Sequence, residues 1–313
     1  MRIITIQEND AGQRLDKFLM KYMPAMPKSM LYKLIRKKEI KYNQKRCQGN
    51  EILQPGDMIR IYAKDEFFEK KQKIISAEPS SLQIIFENQD LIIVRKPVGQ
   101  DVHSGGHHDK SVLIDEIIKY LYDTGAYDPK AEQSFTPAVC NRIDRNTEGL
   151  VIAAKNAAAL RAVNEAIRQR QIQKIYLAVT ERPLPKQKEI CTAWLKKDSN
   201  SNYVHIADHP SSGWQEIRTA YEVIAQNGQK QLVRIHLLTG RTHQIRAHMA
   251  FIGSPLLGDV RYGGKAHTGT YQCLCAYQLS FSEITSPLLA ELKNKIFTAP
   301  IPDFIIKYFP DFK

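Results

Sequence analysis

Apolar side chains at Leu15, Phe18, Leu19 and Tyr22 follow the i, i+3, i+4, i+7 spacing of an amphipathic helix, which Pro24 and Pro27 bring to an end. A second helix is predicted from Pro27-Lys28-Ser29 onward. Met30 or Leu31, Leu34 and Ile35 form its apolar face, and Lys28, Lys33, Arg36, Lys37 and Lys38 its polar one. Ile40 with Tyr42, and then Ile52 with Leu53, read as short strands; Pro55-Gly56-Asp57 reads as a tight turn before a strand over 58–62. Residues 64–80 turn highly charged and then polar, the composition of a linker between a module at 1–63 and a larger one at 81–313. Past the linker, strand patterns fall at 82–86, 91–94, 150–154, 175–179, 217–223 and 232–235. Helix patterns fall at 112–122, 157–168 and 242–251. The alternation has no regular repeat. It predicts an α+β fold in which a mixed, mainly antiparallel sheet is flanked by helices.

A chain of 313 residues is long enough for two domains, and 43% hydrophobic with 25% charged residues is the balance of a globular protein. Lys and Arg exceed Asp and Glu by 45 to 33, a formal net charge of +12 that favours a polyanionic partner. Residues 1–63 carry thirteen Lys/Arg against six Asp/Glu, so a net of +7 sits in about a fifth of the chain. With no basic amphipathic anchor and no apolar run of membrane-spanning length, nucleic acid is favoured over membrane. The start reaches Glu8 and Asp10 too soon for a signal peptide, and the five cysteines form no C-x-x-C pair. A reducing, cytoplasmic setting is therefore expected.

Two polar clusters carry the candidate chemistry. In Asn141-Arg142-Ile143-Asp144-Arg145-Asn146-Thr147-Glu148-Gly149-Leu150, Asp144 lies among arginines just before an apolar strand. About a hundred residues later, Gly240-Arg241-Thr242-His243-Gln244-Ile245-Arg246-Ala247-His248 gathers cations and hydrogen-bonding groups. A carboxylate that guanidinium groups keep charged can act as nucleophile or base, and the same cations can hold a phosphodiester backbone. The ordinary reading of an Asp on a polar turn is a capping or surface residue. Against it stands Arg142 two positions away, on the same side of an extended stretch. No Gly-rich phosphate loop follows the early strands, so no nucleotide cofactor is expected. His103, His107 and His108, and likewise His243 with His248, lack metal-site spacing, so no metal is expected either.

Arg14-Leu15-Asp16-Lys17-Phe18-Leu19, Ser29, Leu34-Ile35, Ile40, Asn43 and the Leu53-x-Pro55-Gly56-Asp57 turn together resemble an S4-type RNA-binding domain over residues 13 to about 62. The resemblance implies contacts to structured RNA from Arg14, Lys28, Ser29, Lys33, Arg36, Lys37, Lys38 and Asn43. Four further motifs stand in order along the chain. They are Leu91-Ile92-Ile93-Val94-Arg95-Lys96-Pro97-Val98-Gly99 ending at His103; Arg142 through Leu150; Lys174-Ile175-Tyr176-Leu177-Ala178; and Gly240 through Met249, followed by Gly258-Asp259-x-x-Tyr262-Gly263-Gly264. Together they resemble the RluA-type pseudouridine synthases, in particular the members that carry an S4 domain, such as RluC and RluD. The chain departs from many relatives at Asn141, where they have His; at Glu148, where they have Ser; and at Gln100-Asp101, where a more apolar pair precedes His103.

The resemblance implies a cofactor-free isomerisation of uridine to pseudouridine in structured RNA, with 23S ribosomal RNA the expected substrate. It gives Asp144 the role of attacking the nucleoside, at ribose C1′ or the uracil ring, or of acting as base in an elimination route. Arg246 is expected to pair with that aspartate, and Tyr176 to stack on the base and handle a proton. Arg142 is expected to fill the gap left by a flipped uridine, Leu274 to pack beneath the uracil, and His103 to shape the loop. Two alternatives are a non-catalytic RNA-binding or ribosome-assembly factor that keeps the fold, and a glycosidic hydrolase. The hydrolase would need a second placed carboxylate. Nothing in the sequence demands a protein partner or more than a monomer.

Overall fold

The computed structural model describes residues 1–69, 82–103, 112–198, 201, 203–266 and 271–312. It divides into two compact units: Met1–Ser80 with Asp115–Ala138 and Ala154–Arg161, and Ser81–Ile114 with Val139–Ala153 and Ala162–Lys313. Of the linker predicted at 64–80, residues 70–80 lie outside the described residues, as do His107 and His108.

In the first unit, helices α1 (Leu15–Tyr22) and α2 (Lys28–Arg36) pack on a sheet of β1 (Arg2–Thr5), β2 (Ile40–Tyr42), β3 (Lys45–Arg46) and β4 (Met58–Ile61), in the order β1-β4-β2-β3. Leu15, Phe18 and Leu19 of α1 meet Leu31, Leu34 and Ile35 of α2 and Ile4, Ile40, Ile59 and Ile61 of the sheet in one core. The two helices therefore bury the faces their spacing predicts. The strand expected at Ile52-Leu53 is corrected: Ile52 makes only an isolated bridge to Arg14, while Leu53 is buried as a core plug. Phe68, in a 3-10 turn over Asp65–Phe68, joins the same core.

The second unit is built on one sheet. Its strands are β5 (Gln83–Glu87), β6 (Leu91–Lys96), β7 (Ala138–Val139), β8 (Glu148–Ala154), β9 (Ile172–Thr180), β10 (Lys188–Lys197), β11 (Val204–Ala207), β12 (Gln215–Asn227), β13 (Lys230–Leu237), β14 (Leu274–Phe281) and β15 (Ile296–Thr298). The order is β11-β10-β12-β13-β9-β14-β8-β6-β5, with β15 on β14 and β7 on β8. From β11 to β14 the pairing is antiparallel throughout, as it is between β5 and β6 and between β14 and β15; β14 runs parallel to β8, at Cys275 opposite Glu148 and Ala276 opposite Gly149. Gly149 has φ 123°, and a Cβ there would lie 2.3 Å from the Ala276 carbonyl oxygen, so only glycine allows this approach. Because β8 and β14 run the same way, the loop before β8 and the start of β14 open at the same end of the sheet.

Helices α3 (Leu113–Asp123), α4 (Ala157–Arg168), α5 (Gln244–Phe251) and α6 (Asp303–Tyr308) complete the described set. Val163 and Ala166 of α4 pack on Leu91, Ile93, Leu150 and Ile152, whereas Leu177 and Val179 of β9 pack against Ile305 of α6. Successive β9 residues point to opposite faces, so Leu177 and Val179 face that core and Tyr176 faces away from it. Among the described residues, no helix is long and apolar enough to cross a membrane.

α5 is buried nearly all round, from Gln244 to Met249. His248 within it has no exposure, its Nδ1 lies 3.0 Å from Thr219 Oγ1, and burial pushes the imidazole down to about 4. As pH falls from about 6.5 to about 4, the unfolded chain takes up a proton that the folded chain refuses. Stability from this group is thus full above the ordinary histidine range and falls by about 3 kcal/mol toward pH 4. In urea titrations, His248→Leu should therefore gain on the wild type by about that amount between neutral pH and about pH 4.

Candidate active site

The loop ahead of β8 is held before any catalytic group is considered. Thr147 N–H donates to the Asp144 carbonyl at 3.0 Å, which closes a turn, and Gly99 N–H donates to the Arg145 carbonyl at 2.9 Å. Lys96, fully buried at the end of β6, donates to the carbonyls of Pro97, Gln100 and Arg145 at 2.7, 2.9 and 2.9 Å. Burial lowers its ammonium to about 8, and the three carbonyls hold a charged group in place there. Asn141 bonds the backbone of β8 on both sides, from Nδ2 to the Leu150 carbonyl and from the Ile152 N–H to Oδ1.

From this turn Asp144 points into a cleft of about 680 Å³ in the second unit. Arg142, Arg145, Lys174, Lys197, Arg241 and Arg246 line it, against the carboxylates of Asp101 and Asp144. Tyr176, Leu274 and His103 line it as well. The structure thus brings together all six of the side chains expected at the chemical site: Asp144, Tyr176, Arg246, Arg142, Leu274 and His103. Burial, with the Asp144 charge adding to it, raises the Tyr176 hydroxyl well above the usual tyrosine range, so it stays protonated as a donor.

Arg246 lies between two carboxylates. Asp259, 1% exposed, accepts Nε at 2.7 Å and Nη2 at 2.8 Å; Nη1 is left to reach Asp144 Oδ2 at 3.1 Å. The guanidinium carbon also sits 5.2 Å from the centre of the Tyr262 ring. Asp144 itself is 26% exposed, open to the cleft on its other side. His243, which precedes α5 at φ 52°, places Nε2 3.9 Å from Asp144 Oδ2. Its Nδ1 lies 2.9 Å from the Tyr262 hydroxyl, which already accepts the Val204 N–H. The hydroxyl proton then goes to Nδ1, and the imidazole hydrogen sits on Nε2, facing Asp144. Burial pushes His243 below the ordinary histidine range despite the nearby Asp144, so it is neutral at pH 7.

The residues expected to meet RNA from the first unit fall into two groups. Lys28, Ser29, Lys33, Arg36, Lys37 and Lys38 are exposed on and just after α2. Arg14 is instead held by Asp16 through Nε at 3.1 Å and Nη2 at 2.8 Å, and Asn43 is tied into its turn by Asp57 and Met58. Sequence reasoning passed over a row of cations set by register: Arg46 on β3 faces Lys41 on β2, which faces Arg60 on β4. It also assigned no role to Asp259, His243 and Tyr262, although they lie inside the motifs it quoted. The signal for Asp259 was its polar place in a Gly-rich run two turns past α5.

Comparison with known proteins gives the context for this geometry. A family model described as RNA pseudouridylate synthase matches residues 90–251, and an S4 domain model matches 13–59. The chain belongs to the RNA pseudouridylate synthase family. It is 32% identical over 270 residues to the ribosomal large subunit pseudouridine synthase C of Vibrio vulnificus (strain CMCP6), covering 85% of this chain and 81% of that protein. It is 30% identical over 305 residues to an RNA pseudouridine synthase of Mycoplasma capricolum subsp. capricolum, covering 96% and 97%. Its fold matches the solved structure of human RNA pseudouridylate synthase domain containing 4 with a TM-score of 0.58, at 22% identity, over 73% of this chain and 92% of that one.

As an RNA pseudouridine synthase of the RluA type, the chain departs from the family pattern mainly in its supports. Asn141 acts as a backbone mimic for β8, and Glu148 takes Arg95 Nη2 at 2.6 Å in a mostly buried pair. Neither side chain competes with Arg246 for Asp144. Removing one partner of a buried charge pair costs about 3–5 kcal/mol, and Asp259 is the most buried member of the network. Asp259→Asn in this synthase should therefore lower the thermal midpoint and reduce pseudouridine formation more than tenfold (about 1.4 kcal/mol or more of lost activation). Circular dichroism melts and a product assay on the same preparation check both.

Proposed function

We propose that this synthase isomerises uridine in 23S ribosomal RNA, with Asp144 attacking a nucleotide flipped into the cleft and the N-terminal module at 1–63 docking the RNA. The observation that carries the chemistry is the Arg246–Asp144 contact of 3.1 Å at the floor of an open, cation-lined cleft. The large-subunit substrate is supported by the relatives named for that RNA and by an S4 domain model over 13–59.

The reaction breaks the bond from ribose C1′ to uracil N1 and joins C1′ to C5; N1 gains a proton and C5 loses one. No atom is gained overall, so the balance needs no oxidant, reductant or second substrate. Breaking the glycosidic bond develops positive charge on the sugar, which a carboxylate stabilises. Asp144 can do this by bonding to C1′, by adding to the ring, or as base in an elimination route. In each, the Arg246 guanidinium, 3.1 Å from Oδ2, holds the carboxylate in one rotamer. Neither C1′ nor C5 is reachable inside a stacked helix, which requires the target to leave its stack. Arg142, exposed at the cleft, is suited to fill the vacated place, while Tyr176 and Leu274 offer a ring and an apolar surface to the uracil. His103 shapes the rim. The exposed cations of α2 supply salt-dependent contacts to the RNA backbone.

Asp144→Ala should abolish turnover while RNA affinity stays near that of the wild type. Mapping pseudouridines in total RNA from cells with the gene, without it, and with the variant should show the same large-subunit uridines unmodified in the last two. Full modification by the variant would falsify the role of Asp144, and losses confined to transfer RNA would overturn the 23S assignment.

A further inference from the structure

Two residues before Tyr176 on the same face of β9, Lys174 lines the same cleft. Burial draws its ammonium below the ordinary lysine range, and among the described residues neither a carboxylate nor a hydrogen-bond acceptor holds it. This differs from Lys96, whose buried ammonium has three carbonyls. A half-buried ammonium with no protein partner keeps only part of its hydration, so an incoming anion stabilises it more than it does a fully solvated cation. The site also leaves room for the group: a Cβ at Gly240 would come within 3.3 Å of Lys174 Nζ.

We propose that Lys174 is a phosphate subsite that takes the phosphodiester adjoining the target uridine. This rests on the reading that Asp144 and Tyr176 receive that uridine. Two strand residues span about 7 Å, so Lys174 stands beside the tyrosine at roughly the breadth of one nucleotide. A uracil carbonyl could accept a hydrogen bond from it but would leave its charge unbalanced, which a phosphate does not. Arg142, Lys197 and Arg241 also line the cleft but are exposed, so their charge is solvated whether or not RNA is bound. Lys174 is the cleft cation suited to registering one particular phosphate and so the depth to which the nucleotide enters.

The test uses the full-length enzyme and whichever RNA loses its pseudouridine when the gene is deleted, so failure of the 23S assignment does not touch it. Lys174→Met should raise KM roughly 10- to 100-fold, the range of a charge-assisted hydrogen bond, and reduce the salt dependence of kcat/KM by about one phosphate contact. The maximal rate should change far less. Lys174→Arg should restore the salt slope, and Gly240→Ala, which crowds the ammonium, should show a weaker form of the Lys174→Met defect. Because an unpaired charge is removed, Lys174→Met should melt no lower than the wild type. An unchanged KM and salt slope would overturn the proposal. So would a Lys174→Met protein that fails to fold, or a fall in kcat with a shifted pH profile, which would make Lys174 a proton-transfer group instead.

Discussion

The site depends on how one guanidinium divides its hydrogen bonds. Arg246 has five N–H groups in a rigid plane; Asp259 takes two of them side by side, which fixes the plane and leaves Nη1 aimed at Asp144. A lysine at this position could satisfy either carboxylate but could not hold both at a fixed angle. The cost of burying these charges is met by their mutual pairing and by the Tyr262 ring, whose centre lies 5.2 Å from the guanidinium carbon. Only Asp144 keeps an open side, and that is the side a substrate meets.

A second constraint holds the other half of the site. The Asp144 turn is not part of a strand or helix, so its position comes from outside: from Lys96 and Gly99 below it and Thr147 within it. A catalytic loop gains precision when its backbone carbonyls are occupied by a buried donor. The parallel pairing of β8 with β14 then sets this turn and Leu274 at the same end of the sheet. The chemistry of the cleft is thus supported mainly by residues that do not face it.

How much of this was readable in the sequence depends on where the information resides. α1, α2 and α4 were legible because each buries one face against a core, which leaves a 3.6-residue period. Asp144, Tyr176 and Arg246 were legible through the motifs that resemble the synthase family, and all three lie in one cleft. β1, β3, β7, β10, β11, β14, β15 and α6 went unread. Most are short, or alternate against solvent with charged residues between, as Lys188, Lys196 and Lys197 do in β10; β14, buried along most of its length, instead lacks the strict apolar–polar alternation of a half-exposed strand. α5 begins at Gln244 rather than 242, because His243 takes a left-handed backbone that no local preference foretells. The hold of Asp259 on Arg246 and the unpartnered state of Lys174 are tertiary facts. Neither a helix period nor a motif records which carboxylate a cation has found, or that among the described residues it has found none.

The parallel contact of β8 with β14 has a consequence for synthesis on the ribosome. Asp144 and Arg246 are separated by 102 residues, and the strand that aligns the Asp144 turn ends only at Phe281. Such distant pairings form late, after the ends of a long loop have met. An emerging chain therefore presents its basic N-terminal module well before it can assemble a competent centre. Catalytic power arrives only once the strand over Leu274–Phe281 has been made.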